Sequence, residues 1–217
     1  MKKLLLIGVG PGIGMALARK FGREGFQILL VARSADRLAE YKKELAELGI
    51  SSQIYPADLT DTAGFGDVLQ KILLENEQID VMHYNASTWR PAEIDQIELD
   101  GFFDDFKTNV VGALQATQAV LPGMKSRKNG TLFFTGGGSA LQATPKIAAL
   151  GLGKAAMRHF VFSLAEEVRP FDLRAATVTV CGPVQAGTRF DPDLIAGEFW
   201  RLFSENGENF QTESMWN

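Results

Sequence analysis

The sequence predicts an α/β domain, a doubly wound parallel sheet of six to seven strands flanked by helices, and three observations carry that expectation. Short apolar runs alternate with helical stretches along nearly the whole chain. The runs are continuously apolar rather than alternating, as strands covered on both faces must be. The stretches between them are long enough for the right-handed helical crossovers that parallel neighbours require.

Leu4 to Val9 is the first such run, closed by glycines, and a helix from Ala16 to Glu24 follows it and stops at Gly25. Phe26 to Ala32 predicts the second strand. Ser34 then serves as the N-cap of a helix from Ala35 to Leu48, which ends at Gly49. Ser52 to Tyr55 gives a third strand and Asp61 to Glu75 a third helix, whose first turn is weakened by Gly64 and Gly66. Ile79 to Tyr84 is the fourth strand, and a long helical stretch from Leu99 to Met124 leads to the fifth, Thr131 to Thr135. A helix from Ile147 to Val168 precedes the sixth strand, Arg174 to Val180. The tail from Thr188 to Asn217 is less regular, with a helix at Ile195 to Phe203 and a last strand at Phe210 to Trp216.

Composition narrows the function classes. With 217 residues, 46% of them hydrophobic and 22% charged, the chain can bury a core without a disulfide or structural metal. Cys181 has no partner within the chain, which points to a reducing setting and, as the simplest role, a small buried residue. The net charge of -4 argues against nucleic acid or an anionic membrane as the main partner. No apolar stretch approaches the roughly 18 residues that span a bilayer. Lys2-Lys3, Leu4 to Val9 and Ala16-Leu17-Ala18 imitate a secretory signal, but Gly10, Pro11, Gly12 and Gly14 break its helix. A cytoplasmic chain that starts with a strand is the expectation.

Gly8-Val9-Gly10-Pro11-Gly12-Ile13-Gly14 joins the first strand to the first helix. Glycines there let backbone N–H groups approach a pyrophosphate, and the helix N-terminus behind them carries a partial positive charge. The spacing is G-x-x-x-G-x-G rather than the G-x-G-x-x-G fingerprint. A merely tight turn is the alternative, and the position after the first strand of an alternating chain favours the nucleotide. At the end of the second strand stand Ala32 and Arg33, where an NAD site usually offers an acid to the ribose hydroxyl. Arg33 suits a 2'-phosphate instead, so NADP(H) is expected, with NADPH preferred over NADH. A cation at a solvated strand end is the competing explanation.

Gly8, Gly12 and Gly14, Asp58-Leu59 after the third strand, Asn85-Ala86 after the fourth, Asn109, Lys154, and Gly182 after the sixth together resemble the short-chain dehydrogenase/reductase family over residues 1 to 188. The resemblance implies a single Rossmann-type dinucleotide-binding domain over 1–217, with 188–217 as its substrate-loop and tail region. It implies cofactor contacts at Gly8, Gly12, Ile13, Gly14, Arg33, Asp58, Leu59, Asn85, Ala86, Lys154, Gly182 and Val184, with Thr188 a weaker candidate. It also implies a homodimer or homotetramer, for which Ala155, Met157, Phe160 and Val161 would suit an interface. In such enzymes a tyrosine moves the proton as hydride passes to or from a carbonyl carbon. A lysine four residues later holds the nicotinamide ribose, a serine orients the carbonyl and an asparagine anchors a water.

Lys154 and Asn109 match the lysine and the asparagine. Leu150 stands at the tyrosine position and Gly137 at the serine position. Leucine transfers no proton, and losing a general acid removes a factor of about 100 to 10,000 in rate. Ser139 is a candidate replacement as carbonyl donor, on one side with Thr135 and Gly137 if the strand continues that far; a loop-capping hydroxyl is the alternative. Lys154, partly desolvated, is a candidate proton source through water. Tyr84 reads as a packed aromatic at a strand end.

Other signals carry less. His159 lies about 140° round the helix from Lys154, and His83 has no second ligand nearby for a metal. Asp104-Asp105 and Glu166-Glu167 read as solvated faces. Phe199, Trp200, Phe203 and Trp216 read as core or interface, or as walls of a substrate cleft. Two functions remain open: an NADP(H)-dependent oxidoreductase of a small carbonyl or alcohol with a non-standard site, or an NADP(H)-binding sensor or partner protein without turnover.

Overall fold

A computed structural model describes residues 1–205 and 210–217. Seven strands form one sheet, β1 (Lys3–Ile7), β2 (Gln27–Ala32), β3 (Ser52–Pro56), β4 (Val81–Tyr84), β5 (Thr131–Gly137), β6 (Arg174–Val180) and β7 (Glu213–Trp216). Their order is β3-β2-β1-β4-β5-β6-β7 and every neighbouring pair is parallel. The helices are α1 (Ile13–Arg23), α2 (Ala35–Glu47), α3 (Thr62–Glu75), α4 (Leu99–Phe106), α5 (Gly112–Arg127), α6 (Ala148–Val168) and α7 (Pro192–Ser204).

The apolar strands feed two cores because side chains alternate across the sheet. Leu5, Ile7, Leu29, Met82, Tyr84 and Phe134 meet α3, α5 and α6 on one face. Leu4, Leu6, Ile28, Val81 and Phe133 meet α1, α2 and α7 on the other. Ser34 caps α2 as the sequence predicts, accepting from the Arg37 N–H at 3.3 Å. No helix among the described residues is long and apolar enough to cross a membrane.

Several expectations change. The stretch predicted as one helix from Leu99 to Met124 is interrupted by a π-helical turn at Lys107–Val111. The buried Tyr84 hydroxyl donates to the Thr108 carbonyl at 2.5 Å, taking a backbone acceptor out of the ordinary ladder. Gly112 makes room for the ring, since a Cβ there would lie 2.4 Å from the hydroxyl. Such turns collect at functional sites, and this one carries Asn109.

Met157 and Val161 are core residues rather than interface residues, Phe160 is half-buried, and the exposed apolar side chains of α6 are Leu152, Ala155 and Phe162. Asp105 is buried rather than solvated, accepting from the Thr88 hydroxyl at 2.8 Å and pairing with Arg90 at 3.3 Å. The last strand is shorter than predicted. Arg158 of α6 and the Thr179 hydroxyl both bond Glu213 at 2.6 Å, which fixes β7 against β6.

Candidate active site

The strand order reverses direction between β1 and β4, and in open α/β sheets such a point opens a crevice at the C-terminal strand ends. Two cavities occupy it. The first, of about 360 Å³, lies between the glycine turn and the ends of β2 and β3. The second, of about 760 Å³, lies over the ends of β5 and β6 and the start of α6. Both are walled by Ile13, Asn85 and Ser87, so one cleft runs from Arg33 to Lys154.

The first cavity brings together Gly8, Gly12, Ile13, Gly14, Arg33, Asp58, Leu59, Asn85 and Ala86. Gly8 has φ +85, and a Cβ on it would lie 2.3 Å from the Ala86 backbone. Its carbonyl is held by the Asn85 side-chain amide at 2.8 Å. Gly10 and Gly12 differ from Gly8, because a Cβ on either would meet no protein atom within 4 Å. The N-terminus of α1 has no side-chain cap and no acid in its first turn. Its partial positive charge therefore faces the cavity uncompensated.

Arg33 and Arg37 are exposed at the rim, and among the described residues neither forms an ion pair. Tyr41 stands one turn beyond Arg37 on the same wall. The Thr60 backbone N–H, more than its hydroxyl or the charge of Arg33, holds the Asp58 carboxyl below its usual range.

The second cavity is walled by Gly137, Ser139, Leu150, Lys154, Gly182 and Val184. Lys154 donates to the Thr135 carbonyl at 2.8 Å, and burial of the ammonium lowers its pKa to about 8. Leu150 precedes it by one helical turn and faces the same cleft. Ser139 does not continue the strand as its alternation with Thr135 required: β5 ends at Gly137, and Gly138–Ala140 form a 3-10 turn. Ser139 still reaches the cavity wall from that turn.

Asn109 does not line either cavity. It is buried beside Gly153, and its side chain grips Thr88, accepting from the backbone N–H at 2.9 Å and donating to the carbonyl at 3.4 Å. Burial, with Glu213 nearby, pushes the Cys181 thiol up, which makes it a poor nucleophile. Thr188 is committed to its own turn, donating to the Gln185 carbonyl at 2.8 Å. The tail contributes Met215 and Asn217 to the cleft instead of its aromatics. Phe199 is core, and Trp200 and Phe203 pack edgewise with Phe21 and Phe26 behind α1.

Sequence reasoning missed Arg37 and Tyr41, although the Ser34 cap puts them at i and i+4 of one helix face. It also missed Asp105 and His83. His83 is fully buried, 2.9 Å from the Thr135 hydroxyl, and burial drives its pKa down to about 3.

The chain is 30% identical over 170 residues to a fatty acyl-CoA reductase of Acinetobacter baylyi, an alignment that covers 77% of this chain. It spans 57% of that relative's length. Among solved structures it superposes on a metagenomic short-chain oxidoreductase in complex with NADP, with a TM-score of 0.90, 23% identity, and 99% of this chain and 96% of that one covered. It superposes equally on an alcohol dehydrogenase from the archaeon Thermococcus sibiricus complexed with 5-hydroxy-NADP, with a TM-score of 0.89, 22% identity, and 99% and 95% covered. The sequence pattern of the short chain dehydrogenases matches residues 2–194, and the glycine turn, Lys154 and all of the cleft lining except Met215 and Asn217 lie within that span. The chain belongs to the short chain dehydrogenase family.

Proposed function

We propose that this protein is an NADP(H)-dependent oxidoreductase acting on a small carbonyl or alcohol, at a site that lacks the tyrosine and serine of its relatives. One observation carries the reading: a continuous cleft has two arginines without an ion pair among the described residues and an uncapped helix N-terminus at one end, and a half-buried lysine at the other. The residues fit such a cofactor, because Gly10 and Gly12 leave an open cradle that a Cβ would fill. The NADP and 5-hydroxy-NADP held by two similar proteins support it further.

When bound, the cofactor supplies hydride exchange with the substrate carbon. Gly12, Ile13 and Gly14 hold the pyrophosphate through backbone N–H groups, Gly8 shapes the turn beneath them with its own N–H spent on the Val31 carbonyl at 2.9 Å, and Arg33, joined by Arg37, pairs with the 2'-phosphate. Asp58, Leu59, Asn85 and Ala86 wall the adenosine half, and Gly182 and Val184 the nicotinamide half. Lys154 holds the ribose and gives the proton that the substrate oxygen gains, with Ser139 as hydroxyl donor and Asn109 bracing Thr88 behind them. Exposed Leu99, Phe103 and Leu114 on α4 and α5 support the homodimer or homotetramer.

The test is a titration of the purified protein with NADPH and NADH, read by nicotinamide fluorescence. NADPH is expected to bind at least about tenfold more tightly, a difference of about 1.4 kcal/mol. Arg33→Ala combined with Arg37→Ala should erase the preference. Binding of neither cofactor would sink the reading.

Lys154 adds a pH dependence. Burial favours the neutral amine, so the ammonium is fully present well below pH 8 and is lost as pH rises through about 8. Carbonyl reduction is therefore expected to fall about tenfold per pH unit above that point. A flat profile between pH 7 and 10 would rule Lys154 out as the acid. The second reading, a binding protein without turnover, rests on Leu150 in the cleft, and NADPH binding with no hydride exchange across a panel of carbonyls would establish it.

A further inference from the structure

Thr135 is a junction between three parts of the cleft. Its hydroxyl lies 2.9 Å from His83 Nε2 and 2.9 Å from Asn85 Oδ1, and its carbonyl accepts from Lys154 at 2.8 Å. Asn85 in turn donates to the Gly8 carbonyl at 2.8 Å. Proton bookkeeping along this chain leaves one solution. The Gly8 carbonyl only accepts, so the Asn85 NH2 faces it and Oδ1 faces Thr135. An amide oxygen also only accepts, so the Thr135 hydroxyl spends its proton there. Its oxygen is then left to accept, and His83 must carry its proton on Nε2.

That assignment explains an otherwise odd atom: His83 Nδ1 is buried with no partner. It is the bare lone pair of an imidazole whose single proton is committed to Thr135. The ring packs against Phe133 and Phe199, with centroids at 6.1 Å and 4.3 Å, and these faces carry no charge that would stabilise a second proton. A leucine or valine would fill such a site without leaving a lone pair unsatisfied. The histidine therefore has a reason other than packing.

We propose that His83 and Thr135 form a buried positioning relay, locked in one proton direction, that sets the Gly8 carbonyl of the glycine turn through Asn85 and seats Lys154 through the Thr135 backbone. The effect on cofactor binding rests on the function proposed above; the proton arrangement does not. His83 lines neither cavity, and Thr135 lines the second cavity but not the cradle of the glycine turn. They act by holding Asn85 in the one rotamer that reaches Gly8.

The test has two arms. In the first, 15N-detected NMR of the wild-type protein is expected to show His83 as a neutral Nε2–H tautomer that does not titrate between pH 5 and 8. An Nδ1–H tautomer, or titration near the ordinary histidine value, would overturn the relay whatever the protein binds. In the second, Thr135→Val keeps the shape and removes the hydroxyl, and Thr135→Ser restores it. NADPH affinity is expected to fall at least about tenfold in the valine variant and to return to within about threefold of wild type in the serine variant, with melting temperatures of the two close together. Equal affinity in both variants would overturn the positioning role. If wild-type protein binds no NADPH, the function falls, and the first arm alone decides the relay.

Discussion

Leu150→Tyr combined with Gly137→Ser is expected to raise the reduction of small aldehydes by about 100- to 10,000-fold, the range a positioned general acid contributes. The cleft already holds what the two side chains need. Position 150 lies one turn before Lys154 on the face that lines the cavity, so a phenol there would sit within the reach of the ammonium. The ammonium in turn would favour the phenolate and sharpen the phenol as a proton donor. Gly137 has extended backbone, with φ -153 and ψ 145, which any residue adopts. A Cβ there would lie 3.6 Å from the Lys154 side chain, an ordinary contact, so serine enters without displacing anything. The measurement is NADPH consumption by wild type, each single variant and the double variant with the same aldehyde panel. Leu150→Tyr alone should supply most of the gain, because it restores the acid and serine only orients the substrate. If the double variant binds NADPH as wild type does and gains nothing, the cleft is not organised for hydride transfer and the sensor reading replaces the enzyme.

The order of strands and helices was legible because buried parallel strands write themselves as apolar runs, as Leu4 to Val9 and Phe26 to Ala32 do. The two ends of the cleft were legible for a related reason: the glycine turn and Arg33 are adjacent in sequence to the strand ends that place them. What escaped depends on contacts between distant segments. The π turn at Lys107–Val111 presents the Thr108 carbonyl to the Tyr84 hydroxyl, 24 residues away, and no helical periodicity encodes that contact. Asp105 reads as a surface acid until Thr88 and Arg90 fold over it. His83 reads as a stray polar residue in a strand until Thr135 arrives from the neighbouring strand, 52 positions on. Arg37 carried a local signal, but its meaning depends on where α2 begins, and the residue joins Arg33 only because Ser34 caps the helix.

Gly8→Ala and Gly12→Ala are expected to fail in opposite ways. At Gly8 the backbone is left-handed, with φ +85, and the added Cβ would stand 2.3 Å from Ala86 Cα and N. Backbone strain and overlap with main-chain atoms combine, and neither can be relieved by a rotamer change. The cost is expected to exceed about 4 kcal/mol, the exceptional end of single substitutions. For a chain of this size each kcal/mol lowers the melting temperature by about 2–4 °C, so a fall of roughly 10 °C or more is the readout. At Gly12 the same methyl meets no protein atom within 4 Å. Stability should change by no more than about 1 kcal/mol, while the methyl projects into the space assigned to the pyrophosphate. NADPH affinity is expected to drop about 100-fold, or about 2.7 kcal/mol. Thermal melts and cofactor titrations on the two variants separate the cases. Gly12→Ala with wild-type binding would remove the turn from the cofactor site, and Gly8→Ala with a wild-type melt would mean that β4 can move away from the turn. A glycine that the chain itself requires and one that only a ligand requires look alike in sequence; here the neighbouring atoms of each tell them apart.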